Sequence, residues 1–121
     1  MQKTVLLVED FEDARAMMRL MIEKHGHNVI EAAGAYEAIA KAEEFLPDLI
    51  LMDIGLPLLD GFSATTLIKE LEHLDQIPIV AVTAFRNVQE QADKAGCSGV
   101  LYKPVDMVEL ETMLNKHLKG H

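Results

Sequence analysis

This chain of 121 residues has a single cysteine, few cationic side chains for its acidic ones, and no long apolar run. The single cysteine, Cys97, excludes an intrachain disulfide and any zinc site built from several thiolates, which suits a reducing compartment. No apolar run approaches the roughly 20 residues that a membrane-spanning helix needs. The apolar part of the opening MQKTVLLVED is too short for a secretion signal, so a cytoplasmic protein with no membrane insertion is expected. The 11 Lys and Arg stand against 20 Asp and Glu, and the net charge of −9 argues against direct nucleic-acid binding, which rests on neutralised phosphates. A basic or metal-bridged partner suits that charge better. Repeats, linkers and low-complexity segments are also missing, so residues 1–121 read as one domain, able to bury roughly two-thirds of its unfolded surface.

Short runs of Val, Ile and Leu alternate with longer segments of helical period. TVLLVE (4–9), HNVIEA (27–32), DLILMD (48–53), IPIVAVT (77–83) and GVLY (99–102) predict five strands. Between the first two, Ala14, Met17, Met18, Met21 and Ile22 fall on one apolar helical face that Gly26 stops, which makes the methionines core filler. Further helices are expected over 35–46, ending before Pro47, and over 62–74. The last two span 88–95 and 107–118, with Asn87 and Glu90, and then Asp106 and Glu109, at capping-box spacing. Strands and helices alternating five times predict an α/β fold, a doubly wound five-stranded parallel sheet with helices on both faces.

In such a sheet, ligands collect at the carboxyl ends of the strands. Here those ends carry Glu9 and Asp10, Asp53, Thr83, and Lys103 followed by Pro104. Three carboxylates in one cleft raise each other's pKa unless a cation joins them. Magnesium answers that demand, since it takes hard oxygen ligands and keeps several waters, whereas no His or Cys stands at a strand end to hold zinc or copper. Lys103 supplies a mobile positive charge for a phosphate oxygen.

The segments VEDFED, LILMDIGLPLLDG, VAVTAF and YKP, in that order, resemble the receiver domain of two-component response regulators over essentially the whole chain. PIVAVTAF is similar to single-domain regulators of the cell cycle and to receivers fused to hybrid histidine kinases. The resemblance implies a flavodoxin-like strand order 2-1-3-4-5 and a switch that takes a phosphoryl group from a phosphohistidine partner. On that basis Asp53 matches the phosphoacceptor, Asp10 a direct magnesium ligand, Glu9 its acidic neighbour acting through water, and the Gly55 carbonyl a backbone ligand. Thr83 matches the switch hydroxyl, Lys103 the phosphate-binding lysine, and Tyr102 the aromatic that changes rotamer. A histidine kinase or histidine phosphotransfer protein is the implied donor, docking on the first helix with Arg15 and Met18 among its contacts. A downstream protein target would read the fourth helix, Tyr102 and the fifth helix. The implied protein promotes only its own phosphorylation and dephosphorylation and is not otherwise an enzyme. It either works through partners or is a receiver excised from a larger regulator or hybrid kinase.

Departures from the family pattern are the Glu9–Asp10 pair in place of two aspartates, Leu56 where methionine is frequent, and Ala33 as a poor cap for the second helix. A haloacid-dehalogenase-type phosphohydrolase also uses an aspartyl phosphate and magnesium, but wants a second Asp where Gly55 stands. A flavin carrier shares the fold, yet the loop EDFEDA lacks the glycines and hydroxyls that cradle a phosphate. His25 and His27 read as a turn around Gly26, His117 as part of the last helix, and His121 as a terminal residue. Cys97 reads as a small half-buried residue rather than a redox sensor. Arg86 reads equally as a solvated loop charge or a partner contact.

Overall fold

A computed structural model describes residues 2–118. Its elements follow in strict alternation: β1 (Thr4–Val8), α1 (Glu12–Lys24), β2 (Asn28–Ala32), α2 (Ala35–Phe45), β3 (Leu49–Asp53), α3 (Gly61–Glu70), β4 (Ile79–Thr83), α4 (Gln89–Ala95), β5 (Gly99–Tyr102) and α5 (Met107–Leu118). The five strands form one parallel sheet in the order β2-β1-β3-β4-β5. Both the expected architecture and the implied strand order are therefore present.

Side chains alternate between the two sheet faces because a strand has period two. Leu6, Val8, Ile50, Met52 and Ile79 pack with Ala35, Ala38 and Ala42 of α2 and with Ala64 and Ile68 of α3. Val5, Leu7, Leu49, Leu51, Val80 and Val82 pack on the other face with Met18 and Ile22 of α1 and Leu110, Leu114 and Leu118 of α5. Every residue of β3 and β4 is buried. This is why those strands read as continuous apolar runs rather than as alternating ones.

The local expectations need four corrections. Met17 is 66% exposed, so the apolar stripe of α1 is narrower than its spacing implies and rests on Met18 and Ile22, with Met21 half-buried. The third helix stops at Glu70, because Leu71 turns extended and the chain through residue 76 forms turns that place Leu74 and Ile77 in the core. Asn87 does not cap α4: it adopts φ 60°, and the cap position falls to Val88, which offers no side-chain acceptor. Gly34, not Ala33, occupies the cap of α2, and Glu37 reaches back to accept the Ala33 N–H at 2.8 Å. Asp106 does serve α5, accepting the Val108 N–H at 2.7 Å. His25 ends α1, where its Nδ1 meets the Met21 carbonyl at 2.9 Å and its Nε2 the Glu111 carboxylate at 3.3 Å, which joins α1 to α5. His121 lies outside the described residues.

One glycine is demanded by close approach. Gly61 opens α3 directly behind the sheet edge, and a Cβ there would lie 2.2 Å from the Asp53 carbonyl oxygen and 2.8 Å from the Ile54 Cα. Both neighbours are backbone and cannot swing aside. Gly61→Ala is expected to push α3 off the end of β3 and to cost about 2 to 3 kcal/mol of unfolding free energy in urea denaturation, the scale of overpacking a tight site.

Candidate functional site

The register of two strands builds the acidic cleft. β1 and β3 pair with Val5 beside Leu49 and Val8 beside Met52. One further step along both strands sets Glu9 next to Asp53, each at the point where its ladder opens to the loops. Their side chains share a parity, following Val5 and Leu7 on one strand and Leu49 and Leu51 on the other. Both are buried, at 3% and 5% exposure, while Asp10 is exposed. Glu9, Asp10 and Asp53 each offer a carboxylate oxygen within 4.8 Å of the others'.

Lys103 reaches into this cluster from the end of β5. Its Nζ lies 2.9 Å from Glu9 Oε1 and 3.5 Å from Asp53 Oδ1. The Lys103–Pro104 peptide bond is cis, as the sequence permits at that position. Backbone N–H groups complete the shell: Phe11 donates to Glu9 Oε2 at 3.1 Å, and Gly55 donates to Asp53 Oδ1 at 3.1 Å. Thr83 is buried, and its Oγ1 accepts the Phe85 N–H at 3.0 Å. Tyr102 pairs with Thr83 across β4 and β5 and is half-exposed beneath the Arg86 guanidinium.

Burial and the neighbouring Glu9 push the Asp53 carboxyl up to about 6. Burial works on Glu9 in the same sense, but the Lys103 hydrogen bond and the Phe11 N–H outweigh it and bring Glu9 below its ordinary value. Burial lowers Lys103, and its two carboxylate neighbours more than restore it, so its net shift is upward. One buried acid is thus kept ionised by the lysine while the other bears the repulsion.

Arg15, expected from the sequence as a contact for the donor partner, also braces the site, which nothing in its sequence surroundings signalled. Its Nη1 donates to the Glu9 carbonyl at 2.9 Å and its Nε to Glu31 Oε1 at 2.9 Å, which fastens the β1–α1 loop to β2. Arg19 also pairs with Glu31. Met18 is buried at 7% exposure, so as a partner contact it is a misreading: it belongs to the core beneath α1. Arg86, which the sequence left open, packs on the Tyr102 ring.

A parallel sheet with an acidic, cation-seeking cleft at its carboxyl edge defines a domain of the phosphoryl-handling or metal-binding α/β class. Comparison with known proteins makes the class specific. Residues 5–115 match the family model of the response regulator receiver domain, and the chain belongs to that family. The polar-differentiation response regulator DivK of Brucella ovis is 37% identical over 120 residues, covering 98% of both chains. The receiver domain of the sensor histidine kinase PA1611 from Pseudomonas aeruginosa PAO1, solved with magnesium coordinated in its active site cleft, is 34% identical with a TM-score of 0.90, over 99% of this chain and all (100%) of that one. The co-crystal structure of the Saccharomyces cerevisiae histidine phosphotransfer protein Ypd1 with the receiver domain of its downstream response regulator Ssk1 matches at 28% identity and a TM-score of 0.88, covering 96% and 88%. Among the described residues no helix is long and apolar enough to cross a membrane.

A raised carboxyl pKa has a thermodynamic sign. Because Asp53 binds its proton more tightly when folded, its contribution favours folding at low pH and is lost as pH rises through about 6. In excess chelator at pH 7.5, Asp53→Asn is expected to be more stable than the parent by about 3 kcal/mol, the scale of a shift from 3.8 to about 6. The gain should shrink between pH 6 and pH 4. Urea denaturation across that range measures it, and equal stabilities at pH 7.5 would mean that Lys103 fully offsets the crowding.

Proposed function

We propose that this chain is a phosphoacceptor switch of a two-component or phosphorelay system, with Asp53 as the residue that carries the phosphoryl group. The observation that carries this reading is the position of Asp53: a buried carboxylate at a strand end, between Glu9 and Lys103, with Oδ1 fixed by the Gly55 N–H. Its other oxygen attacks the phosphorus of a phosphohistidine; the P–N bond breaks as the O–P bond forms, and the imidazole leaves with its electron pair. Charge spread over the equatorial oxygens in such a transfer asks for positioning and neutralisation rather than covalent chemistry. Lys103 meets one of those oxygens, and the Gly55 N–H holds the nucleophile in line.

The donor set suits magnesium, being all oxygen and carboxylate-rich. Asp10 and Asp53 would hold the ion directly, Glu9 through water, and Gly55 through its carbonyl. When bound, the ion supplies positive charge to the acidic cluster and to the transferred phosphoryl group. The magnesium-bound PA1611 receiver supports this choice.

After transfer, the new acceptor oxygens draw the Thr83 hydroxyl, and the space it vacates lets Tyr102 turn, so that a bond becomes a change of surface. A histidine kinase or histidine phosphotransfer protein is the donor, a role the Ypd1–Ssk1 pair supports, and a downstream protein reads the α4, β5 and α5 face. The protein acts in the cytoplasm and is no enzyme beyond its own phosphorylation and dephosphorylation. Residues 1–121 make one receiver domain, a reading supported by similarity both to DivK, over 98% of that protein, and to the receiver of the sensor histidine kinase PA1611.

Incubation with a small-molecule phosphodonor and magnesium, followed by mass spectrometry, tests the core of this reading. The parent should gain one phosphoryl group, whereas Asp53→Asn, and the parent in excess chelator, should gain none. An adduct persisting in Asp53→Asn would place the acceptor elsewhere, and continuous turnover of the donor without an adduct would favour a phosphohydrolase.

The lifetime of that adduct depends on whether a water is held in line with the phosphorus. A Cβ at Gly55 would meet only Asp53 Oδ1, at 3.9 Å, and Phe85 is 63% exposed beside the cleft, so neither position orients a water by a polar side chain. Slow dephosphorylation follows, suited to relaying a phosphoryl group or holding a state. At least one of Gly55→Asn and Phe85→Gln should lose phosphoryl several-fold faster than the parent in a decay time course. Equal rates in all three would show that water positioning does not limit hydrolysis here.

A further inference from the structure

Beside the acidic cleft, one cation is held by an aromatic face instead of by a carboxylate. The Arg86 Cζ lies 4.7 Å from the centroid of the Tyr102 ring, within the reach of a cation–π contact. Among the described residues no carboxylate lies within ion-pair distance of Arg86. The contact closes a short circuit. Thr83 and Tyr102 are register partners on β4 and β5, the Phe85 N–H donates to Thr83 Oγ1 at 3.0 Å, and Arg86 follows Phe85 in the chain. Next in line, Asn87 takes φ 60°, a left-handed backbone that asparagine tolerates better than most residues, and the loop bends there.

We propose that Arg86 is a positioning residue, a latch that holds the Tyr102 ring in its resting place and biases the switch toward the unphosphorylated state. The proposal rests on the reading of Asp53 as phosphoacceptor. At rest, Thr83 Oγ1 accepts from the backbone of the β4–α4 loop and keeps its own proton for another acceptor. A phosphoryl group on Asp53 provides that acceptor. As the hydroxyl moves, the loop tied to it through Phe85 moves as well, and the guanidinium carried on that loop shifts over β5. The cation–π attraction is confined to about 6 Å from the ring centroid, so a displacement of a few ångströms ends it and frees the ring. The loop has space to travel, since a crevice of about 800 Å³ between α3 and α4 is lined by Phe85 and Arg86 themselves, with Ile54, Phe62 and Val88 behind them.

A contact made in one state and lost in the other biases the equilibrium by its own worth and no more. An exposed cation–π pair is worth on the order of a two- to fivefold change in population. Arg86 is therefore a bias and not a lock, and its removal should favour the switched state without abolishing the response.

The chain has two tyrosines, and Tyr36 is 63% exposed, so a Tyr36→Phe background leaves 3-fluorotyrosine only at Tyr102. In that background, the fluorine NMR signal and the affinity for beryllofluoride, a phosphoryl mimic given with magnesium, are compared in the parent, Arg86→Met and Arg86→Lys. Arg86→Met keeps an unbranched apolar stem and removes the guanidinium and its charge. It is expected to bind the mimic about two- to fivefold more tightly than the parent, by linkage. Its free-state resonance should also move toward the mimic-bound position, with Arg86→Lys between the two because it keeps a cation. If Arg86→Met binds the mimic with parental affinity, the latch is overturned while the reading of Asp53 stands, whether or not the resonance moves. If the parent fails to bind the mimic, or Asp53→Asn binds it equally well, the reading of Asp53 falls and the latch falls with it.

Discussion

The cleft depends on a constraint of register. β1 and β3 pair in parallel with an offset that leaves no choice about their ends: the residue after Val8 stands beside the residue after Met52. Filling those two places with Glu9 and Asp53 puts two carboxylates side by side at a buried edge, where unit charges about 4 Å apart interact by roughly 4 kcal/mol at an effective dielectric constant of 20. Lys103 is the fold's own answer, and it is one cation against two buried acids and the exposed Asp10. The remaining charge of the four groups is about −2 when all are ionised. A divalent cation balances that charge, which a monovalent one or a second lysine would not, and the preference for a hard dication comes from the arithmetic of the cleft.

The same edge fixes how closely α3 must approach. The loop after Asp53 returns at once to the sheet, with the Gly61 N–H on the Ile54 carbonyl at 3.1 Å, and only a residue without a Cβ fits there. Asp60 then caps α3 through the Ser63 N–H at 3.0 Å and the Ser63 hydroxyl at 2.9 Å. Strand, return loop and helix start make one rigid bracket around the backbone of Asp53. The nucleophile candidate is held by covalent geometry and packing, and its surroundings are left to do the moving.

The alternation of apolar runs with helical periods made the five strands and five helices legible in sequence, whereas the faces to which Leu6 and Val5 point came only with the fold. The polar ends of the strands made Glu9, Asp10, Asp53, Thr83 and Lys103 legible as a group, because a parallel sheet gathers those ends on one edge. What stayed hidden were contacts between residues far apart in the chain with no pattern to join them. Arg15 to the Glu9 carbonyl and Glu31, and Arg86 to Tyr102, are of this kind. The misplaced capping of α4 has a local cause: Asn87 and Glu90 have the right spacing, but asparagine's tolerance of a left-handed backbone was used to bend the loop instead of to cap the helix. Asp60 and Ser63 carried a legible cap signal that the expected start of α3 at residue 62 passed over.

A gradient of burial runs across the sheet from the bracket to the switch. β3 and β4 are buried at every residue, whereas in β5 only Leu101 is. A displacement in the middle of the sheet would open voids in a close-packed interior, which costs far more than the contacts around Tyr102 are worth. At the β5 edge the neighbours of a moving side chain are a loop, an open crevice and one guanidinium. The energy available from a few hydrogen bonds to a new phosphoryl group is therefore enough to act there and too small to act at the centre. A rigid strand that fixes the proposed phosphoacceptor, next to a soft edge free to respond to it, is the arrangement a reversible switch requires, and the order of the strands places the two one β4 apart.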